Sequence, residues 1–227
     1  MTEATKPEIN SARELIRQYG VAITIAVVIA LVIRFFFIEA YRIPSFAMKP
    51  TLEPGDTIFV KKIGSGLRLP WNGKLITTPQ IPKRGDVIVF TPEKEVGLDY
   101  IKRVVGIPGD TVAIKNGRLV LNGKVVSLET KTTDTCGREK AETFDYGICW
   151  DPPVLDDISA TLVPEGFVFV IGDLRSKPTD IKSRKATGLI SINKVKGKAV
   201  FTWLAIEPRS GSLFSRIRFE RMFRWIR

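Results

Sequence analysis

Between Tyr19 and Ile38 the chain runs for 20 residues with a single charge, Arg34. That is close to the roughly 20 apolar residues a helix needs to cross a bilayer. The stretch Val21 to Ile33 has no charge at all, and Phe35, Phe36, Phe37 and Ile38 follow Arg34. Near the end of a span, an arginine can carry its guanidinium along its apolar stem to the headgroups. A buried core helix or a cleaved leader would share this composition. A cleaved leader fits poorly, because the run is long and no small-x-small site follows it before Ile43-Pro44. The expectation is a retained transmembrane helix over 19–38, after a short polar tail over 1–18. Ser11-Ala12-Arg13-Glu14 fits a capping box that would start the helix at Ser11. Lys6, Arg13 and Arg17 precede the span and Arg34, Arg42 and Lys49 follow it, so the positive-inside rule chooses no orientation.

Beyond the span, residues 39–227 have the texture of a mainly β domain. Short apolar runs recur at Ile58-Phe59-Val60, Val87 to Phe90, Thr111 to Ile114, Leu119 to Leu121, Phe167 to Ile171 and Val200 to Trp203. Pro54-Gly55, Pro108-Gly109, Asn116-Gly117 and Asn122-Gly123 punctuate them. Arg118 to Val126 reads as a tight hairpin around Asn122-Gly123. Helical periodicity is missing between 40 and 205. The predicted fold is therefore a coiled or barrel-like antiparallel β-sheet domain behind one N-terminal transmembrane helix. Two stretches read as insertions: 64–82, rich in Gly, Pro and polar residues, and 129–157, which holds both cysteines and little regular pattern. The end of the chain, 213–227, mixes Arg216, Arg218, Arg221, Arg224 and Arg227 with Phe214, Ile217, Phe219, Met222, Phe223, Trp225 and Ile226. Such a basic amphipathic segment suits a helix lying on anionic lipid, or one docked on the β domain with a solvated basic face.

The net charge of +11 calls for an acidic partner. Beside an anchor, an anionic phospholipid membrane is the simpler candidate. The absence of C2H2 spacing, a helix-turn-helix pattern or an RNP-like aromatic stretch argues against nucleic acid, so a basic scaffold for lipid or nucleic acid ranks low. The chain has no histidine. Ser-His-Asp triads, Cys-His pairs and H-E-x-x-H zinc sites are therefore excluded, and any hydrolase chemistry must find a lysine or carboxylate base. No metal or organic cofactor is expected. Cys136 and Cys149 could stand as two buried thiols or form a disulfide; the latter would close a loop with 12 residues between its ends, stabilising by about 2–3 kcal/mol, and suits a domain outside the cytosol.

Lysine can act as a base only when unprotonated, which apolar burial favours. Lys102 lies in Tyr100-Ile101-Lys102-Arg103-Val104-Val105, a predicted strand whose alternation puts Lys102 on the face of Tyr100 and Val104, toward the core. A lysine in a strand is more commonly a snorkelling surface residue, so position alone does not assign a role.

Several boxes, in order, carry a stronger signal. They are Ile43-Pro44-Ser45-x-x-Met48-x-Pro50-Thr51-Leu52, Gly55-Asp56, Arg84-Gly85-Asp86-Val87-Ile88-Val89-Phe90, Tyr100 to Val105 with Gly106-x-Pro108-Gly109-Asp110, Val163-Pro164-Glu165-Gly166, and Gly172-Asp173-x-Arg175. Together with the anchor, they make most of the chain resemble the bacterial type I signal peptidases. The resemblance implies a nucleophile at position 47, Lys102 as general base, and an oxyanion hole made by the residue 47 N–H and the Ser45 hydroxyl. It implies substrate bound as an added β-strand, signal peptides with small residues at −1 and −3 as partners, and a single-pass protein of the bacterial cytoplasmic membrane with its catalytic domain on the outer face.

Two departures stand out. Position 47 is Ala47, where the family has its serine, so no acyl-enzyme can form through that side chain. The final box, usually Gly-Asp-Asn-Arg-Asp-Asn-Ser-x-Asp-Ser-Arg, here runs from Gly172 to Arg184 and is two residues longer. Asp173 and Arg175 match directly, and Ser183-Arg184 match its end. Ser176, Thr179 and Ser183 all remain candidates for the hydroxyl that orients the lysine. The expectation is a serine endopeptidase of preproteins, silent in this form, with alanine introduced by engineering. The alternative is a natural pseudo-peptidase that binds signal peptides without cutting them.

Overall fold

The computed structural model describes residues 8–66, 68–69, 73–92, 97–130, 135–176, 187–207 and 216–226, with the backbone alone over 8–16. Helix α1 spans Glu8–Phe36. Its stretch Arg17–Phe36 has a mean hydropathy of 2.4 and none of it is buried against the protein. Its apolar side chains, such as Val21, Ile25 and Leu31, face outward. The helix differs from expectation at both ends. It passes through Ser11 from Glu8, so Ser11 does not cap it. It stops at Phe36 rather than continuing to Ile38, because Ile38 is already paired with Lys61 in a sheet and Lys62 N–H donates to Phe37 O at 2.9 Å.

Fifteen strands follow among the described residues: β1 (Ile38–Arg42), β2 (Asp56–Lys61), β3 (Val87–Phe90), β4 (Tyr100–Gly106), β5 (Thr111–Lys115), β6 (Arg118–Leu121), β7 (Lys124–Val125), β8 (Ser127–Thr130), β9 (Cys136–Ala141), β10 (Phe144–Cys149), β11 (Ile158–Leu162), β12 (Phe167–Ile171), β13 (Gly188–Ser191), β14 (Val195–Ala205) and β15 (Arg224–Trp225). The pairings between these strands are antiparallel, while an isolated bridge from Cys149 to Leu174 is parallel. The main sheet runs β1-β2-β14-β3-β4-β12-β13, with β15 on β14; β10-β9-β8 and β11-β5-β6-β7 form two smaller sheets. Strand β14 shifts register after Val195, Ala199 and Thr202 against its neighbours. Such bulges increase local twist, and the mainly β, antiparallel architecture is the one the sequence leads one to expect. The Asn122-Gly123 hairpin is present as β6–β7, with both residues in the left-handed region (φ 51° and 78°) that this tight turn requires.

The stretch 129–157 carries more regular structure than the little pattern expected from sequence. It contains the β9–β10 hairpin, whose Phe144, Tyr146 and Ile148 enter a core cluster with Val105, Val112, Leu119, Phe169 and Ile171. Cys136 and Cys149 are register partners at the open end of that hairpin and are joined by a disulfide. In 64–82 the described residues hold one isolated bridge, Arg68–Leu75, and no strand.

The C-terminal segment also differs from the expected helix. Over 216–226 it makes a short 3-10 turn at Phe219–Arg221 and the strand β15, folding back along β14. Its arginines explain the difference. Arg218 and Arg221 both reach the fully buried carboxylate of Asp56, at 2.9 and 2.7 Å, and Arg218 also pairs with Glu53 at 2.7 Å. The buried Asp56 and the half-buried Glu53 fix these two guanidiniums, so they do not form a solvated stripe. Burial works against the charge of Arg221, but its bonds to Asp56 outweigh it and move its pKa up.

Candidate active site

The box around position 47 is a turn anchored from below. Met48 and Leu52, four residues apart, are both fully buried in a cluster with Ile43, Ile58, Val60, Val87, Val89 and Ala199. Lys49 N–H donates to Phe46 O and Leu52 N–H to Met48 O, each at 2.9 Å. Burying the two apolar side chains holds the turn down and leaves Ala47 half-buried at its rim, with Ser45 and Phe46 exposed beside it.

Lys102 lies on β4 between β3 and β12, opposite Ile88 in the register. It is 4% exposed and shares its face with Tyr100 and Val104, which pack into the cluster of Ile88, Phe90, Val168 and Val170. Close to both Lys102 and the turn lies Gly172, directly after β12. A Cβ placed on Gly172 would lie 3.4 Å from Lys102 Nζ and 2.5 Å from the Ala47 carbonyl oxygen. Leu174 N–H donates to that same oxygen at 3.2 Å. Glycine is needed here for close approach of backbones. The turn, the lysine and the segment after β12 thus meet at one point.

On the opposite face of β4 is a buried polar network. Arg103 grips Asp173 with two hydrogen bonds, Nε–Oδ1 at 2.7 Å and Nη2–Oδ2 at 2.6 Å. Arg103 also donates to Gly85 O and to Thr51 Oγ1, and the Thr51 hydroxyl in turn donates to Asp173. Its guanidinium lies 4.1 Å from the centre of the Tyr146 ring. Arg175 is clasped by both oxygens of Glu139 at 2.8 and 2.6 Å, while its Nε donates to Gly172 O at 3.0 Å. Tyr146 donates its hydroxyl to Glu139 at 2.9 Å. Arg103, Asp173, Arg175 and Glu139 are all essentially inaccessible to solvent. Burial opposes the charge on both arginines, yet Asp173 and Glu139 outweigh it, so their pKa values rise and they stay cationic. Burial, with Glu139 alongside, likewise pushes the Tyr146 phenol well above its ordinary value and keeps it a donor.

Residues 16–204 match the family model described as signal peptidase, peptidase S26. The chain belongs to that family. Signal peptidase I of Pseudomonas aeruginosa is 34% identical to this S26 chain over 223 residues, covering 89% of the chain and 78% of the relative. Signal peptidase I of Bacillus licheniformis is 34% identical over 199 residues, covering 88% and 94%. A crystal structure of a signal peptidase I from Enterococcus faecalis aligns at 27% identity with a TM-score of 0.33, over 52% of this chain and 95% of that one.

Of the site residues expected in this S26 chain, the Ala47 carbonyl and Lys102 Nζ both come close to Gly172, Ser45 is exposed on the Ala47 turn, and Asp173 and Arg175 lie in the buried network. Ser183, Arg184 and Thr179 lie outside the described residues. The Ser176 hydroxyl accepts from Asp151 N–H at 2.6 Å. Among the described residues no group of three His, Cys, Asp or Glu side chains is arranged to hold a metal. Sequence reasoning passed over Gly172, Thr51 and Arg103, although all three fall inside the boxes. It missed Glu139 and Tyr146 because the hairpin carrying them read as an insertion.

Proposed function

We propose that this chain is a membrane-anchored serine endopeptidase that removes signal peptides from exported preproteins with a Ser-Lys dyad, silenced here by an engineered Ser-to-Ala change at position 47. The approach of both the Ala47 carbonyl and Lys102 Nζ to Gly172 carries the reading. With serine at 47, the hydroxyl attacks the scissile carbonyl and its proton passes to Lys102 Nζ. The oxyanion is held by the residue 47 N–H and the Ser45 hydroxyl. Collapse expels the new amine, which takes the proton from Lys102. Water then releases the acyl group, with Lys102 again as the base. Burial of Lys102 suits this role, because burial disfavours the charged form of an amine. Asp173 and Arg175 support the site from beneath. The Ala47 methyl cannot form the ester, and loss of such a nucleophile costs several orders of magnitude in rate.

In this reading, residues 1–18 are cytoplasmic, the apolar stretch of α1 crosses the bacterial cytoplasmic membrane once, and residues 39–227 form the peptidase domain on its outer face. The outward-facing apolar side chains of α1 support the span. The Cys136–Cys149 disulfide supports an oxidising compartment for the domain. The charge of +11 supports contact with anionic phospholipid. The substrate is a signal peptide with small residues at −1 and −3, added as a β-strand.

Restoring serine with Ala47→Ser and incubating the protein with a preprotein in detergent or vesicles tests the proposal. Cleavage after the signal peptide is the expected result, with none in the Ala47 protein. A restored protein that binds but does not cut would replace this reading with that of a natural pseudo-peptidase.

A further inference from the structure

The β9–β10 hairpin grips the segment after β12 at three points. Cys149 N–H donates to Asp173 O at 3.0 Å, and Arg175 N–H donates to Cys149 O at 2.7 Å. The third point is reached by a side chain: Glu139 on β9 clasps Arg175, whose Nε donates to Gly172 O. A guanidinium is a rigid planar fork. A carboxylate bidentate on its Nη1 and Nη2 edge therefore fixes the direction in which the Nε–H points. Glu139 is itself held, through Oε2, by the Tyr146 hydroxyl. Gly172 lies close to both the Ala47 carbonyl and Lys102 Nζ, since a Cβ on it would meet each of them. Stability alone explains such a pair poorly, since a buried ion pair is commonly no more stabilising than apolar residues of the same volume.

We propose that Glu139 is a positioning residue for the site: through Arg175 it fixes the Gly172 carbonyl, and so the separation of position 47 from Lys102. The proposal rests on the reading of positions 47 and 102 as the dyad. Glu139 touches neither substrate nor Lys102, and its effect on the reaction passes through Arg175 and the backbone of Gly172. The hairpin, tied across its open end by the Cys136–Cys149 disulfide, is then a brace for the site. Displacing a reacting group by about 1 Å costs on the order of 100-fold in rate, so a loosened Gly172 is felt in turnover first.

The test has two arms. In the Ala47 protein, amide hydrogen exchange is read at Leu174, whose N–H donates to Ala47 O. Glu139→Gln is expected to lower protection there at least tenfold, with Met48 and Leu52 amides unchanged. In the Ala47→Ser background, well below the melting temperature, Glu139→Gln is expected to lower kcat about tenfold or more with KM for a signal-peptide substrate within about twofold. Because the effect passes through Arg175, Glu139→Gln added to Arg175→Gln should cost no more than Arg175→Gln alone. If Glu139→Gln does not fold, Tyr146→Phe removes one hold on Glu139 and should move Leu174 protection and kcat in the same direction. Unchanged Leu174 protection in a folded variant, or strictly additive losses in the double variant, would overturn the proposal. An inactive Ala47→Ser parent would instead overturn the dyad reading, and the exchange arm would still decide whether Glu139 holds this segment.

Discussion

Gly172 and Ala47 approach so closely that a single added Cβ at 172 would stand 2.5 Å from the Ala47 carbonyl oxygen. The obstacle is backbone, so it cannot rotate aside. Gly172→Ala must push the segment after β12 away from the turn or distort both. Overpacking of this kind costs about 1–3 kcal/mol. The same Cβ would sit 3.4 Å from Lys102 Nζ, at the lysine itself. In the Ala47→Ser background we expect Gly172→Ala to lower the melting temperature by several degrees and to reduce preprotein cleavage by a larger factor than that destabilisation explains. Cleavage measured at saturating substrate, beside a melting curve, checks this; parental kcat in the variant would show that the close approach does not matter to the site.

The burial of Lys102 was legible because it depends on a local pattern. Lys102 falls on the core face by simple alternation with Tyr100 and Val104. The part that was not legible depends on contacts between distant segments. Glu139 pairs with Arg175 across 36 positions and Arg103 with Asp173 across 70. No local pattern marks a glutamate in Cys-Gly-Arg-Glu-Lys as buried. The alternation of Phe144, Tyr146 and Ile148 could have identified β10, but the neighbouring charges hid it. At the C-terminus, arginines alternating with aromatics imitate an amphipathic helix. What decides their structure is the carboxylate of Asp56, more than 160 positions earlier, which accepts from both Arg218 and Arg221.

Arg103 and Asp173 form a pair with no exposure on either side chain. Asp173→Asn leaves a buried guanidinium without its counter-charge. Breaking a buried pair from one side costs about 3–5 kcal/mol. The Thr51 hydroxyl, which donates to Asp173, loses its anionic acceptor at the same time. We expect Asp173→Asn to be among the most destabilising single substitutions in the domain, and chemical denaturation in detergent to show it. A midpoint within error of the parent would mean that the site relaxes to admit water at Arg103.

The pH dependence of stability can be followed at Asp110. Burial raises the pKa of its carboxyl, but hydrogen bonds from Arg84, the Ile107 N–H and Asn122 outweigh burial and bring it below the ordinary value of 3.8. Arg84 supplies two of these, at 2.7 and 2.6 Å. A depressed folded-state pKa contributes stability that is complete above the unfolded value and is lost as pH falls through the folded one. Asp110→Asn removes the charge at every pH. The melting temperatures of parent and variant should therefore differ most near pH 7, where the lost charged hydrogen bonds cost about 1.5–3 kcal/mol. The gap should close as pH falls below about 4. A gap of the same size at pH 3 and pH 7 would exclude this electrostatic origin.

Asp56 links the C-terminal segment to the box around position 47. Its buried carboxylate accepts from Arg218 and Arg221, and it also caps the preceding turn by accepting from Glu53 N–H at 2.9 Å. Arg221 Nη2 donates in addition to Thr51 O at 3.3 Å, within the same turn. Removing residues 216–227 strips both guanidiniums from a carboxylate with 0% exposure, and an uncompensated buried charge costs about 3–5 kcal/mol. The truncated domain should melt well below the parent, and Asp56→Asn in the truncated chain should restore part of the loss, because it removes the stranded charge. Were the segment held only by lipid, truncation would leave the melting temperature in detergent unchanged and Asp56→Asn would have the same effect in both lengths of chain. A thermal-melting cycle of the four proteins separates the two outcomes.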